Sequence, residues 1–192
     1  KDEENPGFDM TEQNSHTYGN KSVWAENMSV TNCLLKSSSA GIRIGYGQHP
    51  IRRCAFSNIT IYDSHRGIGI FAHDSANIED ISFDNIIIET RLFNGHWWGH
   101  GEPIHLSCIS RFAGHQAGQI KNISFNNIIA TGEQGILIFG LKESRIENIW
   151  LNNIKLHIRK GKETLSYGGN FDLRPATPIS MQIFAHDIPG IY

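Results

Sequence analysis

Apolar residues in this chain recur in a register that is neither helical nor simply alternating. The pattern apolar-x-x-apolar-x-apolar-x-Asn-apolar-x-apolar fits Ile51–Ile61 (IRRCAFSNITI), Ile78–Ile88 (IEDISFDNIII), Ile120–Ala130 (IKNISFNNIIA) and Ile146–Leu156 (IENIWLNNIKL). A weaker copy occupies Ala25–Leu35 (AENMSVTNCLL). The asparagines of the pattern, Asn32, Asn58, Asn85, Asn127 and Asn153, are separated by 26, 27, 42 and 26 residues. The long interval is one period plus about 15 residues, which predicts an inserted loop. Eight or nine residues after most of these asparagines comes a second alternating run: Gly41-Ile-Arg-Ile-Gly45, Gly67-Ile-Gly-Ile70, Pro103-Ile-His-Leu106 after the insertion, and Gly135-Ile-Leu-Ile138. Short β-branched runs bounded by Gly, Asn and Ser read as strands.

Two or three short strands per period, with no helical segment between them, predict an all-β fold in which each period is one coil of a parallel β-helix. Coils stack about 4.8 Å apart, so equivalent side chains form columns. Ile42, Ile44, Ile68, Ile70, Ile136 and Ile138 are expected inside. The asparagine column is expected to be an interior ladder of amides, each needing a hydrogen-bond partner. On that reading the sequon at Asn58 is accidental, because a glycan on an interior residue conflicts with the fold; the others lie at Asn20, Asn27 and Asn122. A leucine-rich repeat would need many more leucines and a helical segment. A β-sandwich offers no reason for an asparagine register of this length.

The expected organisation is an irregular segment over 1–24, the β-helix over 25–160 with an inserted loop at 91–102, and a partial last coil with a cap over 161–192. An open first coil exposes unpaired strand edges, so it needs cover, either by self-association or by a separate N-terminal portion.

Composition sharpens this picture without changing it. The 28 Ile and 16 Asn against only two Val reflect the repeat. The chain has 192 residues, 39% hydrophobic and 19% charged, enough for a packed core. No apolar run approaches the length of a membrane helix, so no membrane partner is expected. A formal net charge of −2 without a basic block argues against nucleic acid. Cys33, Cys54 and Cys108 cannot all pair within the chain and lack metal-ligand spacing; they are expected as small buried hydrophobes.

Candidate chemistry concentrates in the insertion, Arg91-Leu-Phe-Asn-Gly-His-Trp-Trp-Gly-His-Gly-Glu-Pro103. Trp97 and Trp98 offer flat faces suited to sugar rings; the alternative is that they pack the loop onto the coil wall. His96 and His100 are too few for a metal site, and none is expected. Column arithmetic brings Arg43, His65, Arg66, Glu102 and His105 to one patch bordered by His73 and Asp74. Such a patch suits a sugar polymer bearing carboxylates, because the guanidinium fork matches carboxylate geometry. The alternative is a solvated polar face.

The Gly-Ile-x-Ile strands and the run from Arg66 to Ser107, with Trp97-Trp98-Gly99 and Glu102-Pro103-Ile104, resemble glycoside hydrolase family 28, the polygalacturonases, closest to its bacterial branch. The resemblance covers roughly residues 25–160. It implies a right-handed, single-stranded parallel β-helix (about five coils are visible), a secreted or periplasmic location, no cofactor, and inverting hydrolysis of pectic polysaccharide, a galacturonate-containing substrate. The family's acid motifs do not carry over. Ser39-Ala40-Gly41 stands where the family has Gly-His-Gly, and Gly69-Ile70-Phe71 where it has Arg-Ile-Lys; a shift of one coil puts Ser39-Ala40 on the acid pair. Three readings follow: a hydrolase region whose acids lie upstream, a degenerate carbohydrate-binding β-helix, or relocated acids. For the last, Asp63, Asp74, Glu102 and Glu133 are candidates and Asp74 with Glu102 the pair, since inverting carboxyls stand about 6.5–9.5 Å apart. A structural, self-associating solenoid is the remaining class.

Overall fold

The structure, a computed structural model, describes residues 24–94, 98–111, 114–164, 170–171, 181–182 and 191. Its strands are β1 (Ala25–Thr31), β2 (Leu34–Leu35), β3 (Ala40–Gly45), β4 (Ile51–Ser64), β5 (Arg66–Ala72), β6 (Ile78–Thr90), β7 (Ile104–Cys108), β8 (Ile120–Gly132), β9 (Leu137–Gly140), β10 (Ile146–Ile158), β11 (Asn170–Phe171) and β12 (Met181–Gln182). One sheet stacks β1, β4, β6, β8 and β10 in that order, with β2 beside β4; a second stacks β3, β5, β7 and β9. Every pairing in both sheets is parallel, which makes the chain a parallel β-solenoid. The irregular segment expected over 1–24 lies outside the described residues except for Trp24. The expected partial coil and cap over 161–192 are described at 161–164, in the antiparallel pair β11–β12 and at Ile191, which forms a parallel bridge with Ile136.

The strand register reproduces the sequence repeat. Ala25, Ile51, Ile78, Ile120 and Ile146 are successive partners, so the weak first copy is in phase with the rest. The four longest strands each bend at two residues in the left-handed region with φ between 53° and 56°: Arg53 and Asn58, Asp80 and Asn85, Asn122 and Asn127, Asn148 and Asn153. The first coil does so at Asn27 in β1 and at Asn32 just past its end, with φ of 59° and 58°. Asn and Asp tolerate this conformation because a short polar side chain can bond locally. The bends explain the repeat's spacing. In a straight strand every second residue faces one way. A left-handed corner shifts that parity by one, so Ile78, Ile81, Phe83, Ile86 and Ile88 all point inward and all are buried. Phe56, Phe83 and Phe125 stack in one interior column, with centroids 5.0 and 4.9 Å apart. Ile42, Ile44, Ile68, Ile70 and Ile136 are buried as expected, and Ile138 packs half-buried against the same core.

The asparagine ladder exists but stands outside. Asn85 Nδ2 donates to Asn58 Oδ1 at 2.7 Å, Asn127 Nδ2 to Asp84 Oδ1 at 2.9 Å, and Asn153 Nδ2 to Asn127 Oδ1 at 2.7 Å, all at the surface. This corrects the interior placement of Asn58: the corner that fixes the coil turns its side chain to solvent, and the steric objection to a glycan there falls. A second external ladder runs through the other corner, with Arg53 bonded to Asn27, Asn122 to Asp80 and Asn148 to Asn122.

The second sheet differs. Every residue of β5 and β7 is buried, on the outer face as well as the inner. Part of the cover is the end of the insertion: Gly101 N–H donates to the His65 carbonyl at 2.8 Å, and Thr90 Oγ1 donates to the Gly101 carbonyl at 2.6 Å. Gly67 permits that approach, since a Cβ there would strike the Pro103 carbonyl. Cys54 and Cys108 are buried thiols and Cys33 is half-buried.

Candidate functional site

The columns inferred from the repeat are those of the second sheet. Arg66 follows Ala40 on the adjacent strand, and Arg43, Gly69, His105 and Leu137 are successive partners. Gly67 N–H donates to the Glu102 carbonyl, bringing Glu102 beside Arg66 one coil on. The register therefore gathers Arg43, His65, Arg66, Glu102 and His105 as expected, but at different depths. His65, Arg66, His73, Glu102 and His105 are at most 3% exposed, whereas Arg43 and Trp98 reach solvent. Trp97 and His96 lie outside the described residues.

Glu102 is the centre of the buried layer. Its Oε1 is 3.5 Å from Arg66 Nη2 and 3.4 Å from His105 Nδ1, and its Oε2 accepts the His100 N–H at 2.7 Å. Burial alone would push this carboxyl up, but the Arg66 guanidinium and then His105 hold it well below the ordinary carboxylate range. An ionised carboxylate in such a setting orients cations and has no proton to give a leaving oxygen. Aromatic edges surround the layer. His65 meets Phe93 edge-on at 5.2 Å and lies parallel to His100 at 6.2 Å. Phe71 sits edge-on to both His105 and His73, and His73 Nε2 is hydrogen-bonded to Ser107 Oγ at 2.7 Å.

Asp74 belongs to a separate group beyond the end of β5. Its Oδ1 accepts from Arg111 Nε at 2.7 Å and Nη2 at 2.5 Å, and its Oδ2 accepts the Gly47 N–H at 2.6 Å. Asp63 is bound by Lys36 and Arg91, and Arg91 first, then Lys36, lowers its carboxyl. Glu133 accepts the Leu92 N–H at 3.1 Å. Each of the four candidate carboxylates is thus engaged. Among the described residues no group of three or more His, Cys, Asp and Glu is arranged to hold a metal ion.

Tyr46 and Arg111 were not singled out from the sequence. Tyr46 lies under Arg43, whose guanidinium carbon is 4.3 Å from the ring centroid, and near Arg111 at 5.5 Å. The signal available was an aromatic residue between two glycines, Gly45-Tyr46-Gly47, directly after a repeat strand.

Searches of protein-family models, of curated proteins and of solved structures found no match to this chain. The fold and the site therefore define a class and no more: a parallel β-solenoid with a covered, charged outer face on its second sheet.

Proposed function

We propose that this chain is a right-handed parallel β-helix of about five coils that holds pectic, galacturonate-containing polysaccharide as a region of a polygalacturonase-like glycoside hydrolase, in a secreted or periplasmic setting. The observation that carries the reading is the mixed outer face of the second sheet. Arg43 and Trp98 stand exposed there beside the buried Arg66–Glu102–His105 layer. A guanidinium fork matches a uronate carboxylate, and an exposed indole stacks on a sugar ring. The layer beneath holds the loop that carries Trp98.

In this reading the chain contributes binding and leaves proton transfer to residues it does not itself supply. Supporting that division, Glu102 is ionised and buried, and Asp74 is spent on Arg111 and Gly47. The same observations favour a purely carbohydrate-binding β-helix as the second reading. The test pairs a reducing-end assay with affinity electrophoresis in polygalacturonate. Retardation without sugar release is expected, with Trp98→Ala reducing the retardation. Unretarded migration of the parent chain would sink the reading. Sugar release abolished by Asp74→Asn or Glu102→Gln would instead establish relocated catalytic acids.

A further inference from the structure

We propose that Arg43, Tyr46 and Arg111 form a carboxylate-binding subsite, built on a strained turn and braced by Asp74, that takes one uronate residue of an acidic glycan; the choice of ligand rests on the function proposed above. The turn is the first observation. Gly45, Tyr46 and Gly47 have φ of 116°, 58° and 102°, three consecutive residues on the left-handed side. For a bulky side chain such as Tyr46 that conformation is strained and persists only where the surroundings enforce it. Here they do. The Tyr46 N–H donates to the Phe71 carbonyl at 3.1 Å and the Gly47 N–H to Asp74 Oδ2 at 2.6 Å. A Cβ at Gly45 would run into the Phe71 carbonyl.

The second observation is what the turn presents. The Tyr46 ring has Arg43 at 4.3 Å and Arg111 at 5.5 Å, and it also meets His73 edge-on at 5.2 Å and Phe71 at 5.7 Å. Asp74 bonds Arg111 through two nitrogens and the turn through Gly47, so one carboxylate neutralises one guanidinium and locks the loop together. Arg43 is exposed and makes no ion pair with any described residue. A cation held over a ring has already lost much of its rotamer freedom, so pairing it with a carboxylate costs less ordering. The aromatic face beside it suits the apolar side of the sugar that bears that carboxylate.

The experiment is titration calorimetry of the full chain with a galacturonate oligomer, with its methyl ester, and with acetate as a free carboxylate. The acid oligomer is expected to bind, Arg43→Ala to weaken it by about tenfold or more, and Arg43→Lys to recover only part of the loss. The ester should bind more weakly and be indifferent to Arg43→Ala. Acetate should bind far more weakly than the oligomer. Equal affinity of acid and ester, acetate matching the oligomer, or no effect of Arg43→Ala, would overturn the subsite. If Trp98→Ala weakens the acid oligomer while Arg43→Ala does not, the glycan reading stands and this subsite falls. If no oligomer binds, both fall.

Discussion

On the long-strand sheet one outward column stays small and polar from coil to coil. Ser57, Asp84, Asn126 and Asn152 follow one another in register, and the neighbouring corner asparagines bond coil to coil in water. On the β5–β7 sheet the outward positions change at every coil, Gly69 to His105 and Phe71 to Ser107, and they are buried. A column that keeps its small polar character serves the stacking of the solenoid, and its polar groups satisfy one another cheaply at the surface. A column that changes its residue cannot be stabilised by repetition. It needs partners from elsewhere, here the returning insertion and the Arg66–Glu102–His105 layer. That is where a site-bearing face is expected.

The contrast can be broken hardest at the buried pair. Arg66→Ala leaves Glu102 ionised without its main cation and should cost about 3–5 kcal/mol in denaturant unfolding, whereas Arg66→Met with Glu102→Leu should cost far less. A loss below about 1 kcal/mol for Arg66→Ala would mean that the layer behaves like a surface pair. At the other face, Asn85→Ala should cost about 1–2 kcal/mol through its left-handed backbone, and Asn85→Gly clearly less, because glycine accepts positive φ. Equal losses would show that the amide bond, not the corner, matters there.

Acid tests the two faces differently, since ladder rungs such as Asn85–Asn58 and Asn153–Asn127 are amide pairs that do not titrate. Glu102 has its carboxyl lowered in the folded state, so its contribution is present above the unfolded value near 4.5 and is lost as pH falls through the folded value. Melting temperature should therefore fall on acidification below about pH 4.5. Glu102→Gln should make that dependence shallower while lowering stability at neutral pH, leaving the share of Asp63, whose carboxyl is also lowered. A parent profile unchanged by Glu102→Gln would refute it. The smallest effect concerns thiols. Burial pushes Cys108 up to about 11 and also raises Cys54, so at neutral pH a maleimide should label half-buried Cys33 first and Cys108 only on unfolding. Prompt labelling of Cys108 would show that its side of the second sheet opens.

Much of this architecture was readable from residue order. The repeat copies, their register down to the weak one at Ala25–Leu35, the interior isoleucines and the gathering of Arg43, His65, Arg66, Glu102 and His105 all follow from counting along columns. The outward turn of Asn58 did not, because a left-handed corner reverses side-chain parity and the pattern alone does not say on which side the corner residue falls. The second corner column was hidden by its mixed composition, Asn27, Arg53, Asp80, Asn122 and Asn148. The burial of the charged layer and the grouping of Arg43, Tyr46, Asp74 and Arg111 were equally hidden, since those residues come from distant parts of the chain.

By itself, then, the amino-acid order determined that strands recur with one period and which side chains share a column, because backbone geometry makes each coil a copy of the last. Depth and partnership were decided only in three dimensions. Whether a column faces water depends on what the irregular segments lay across it, and those segments obey no period.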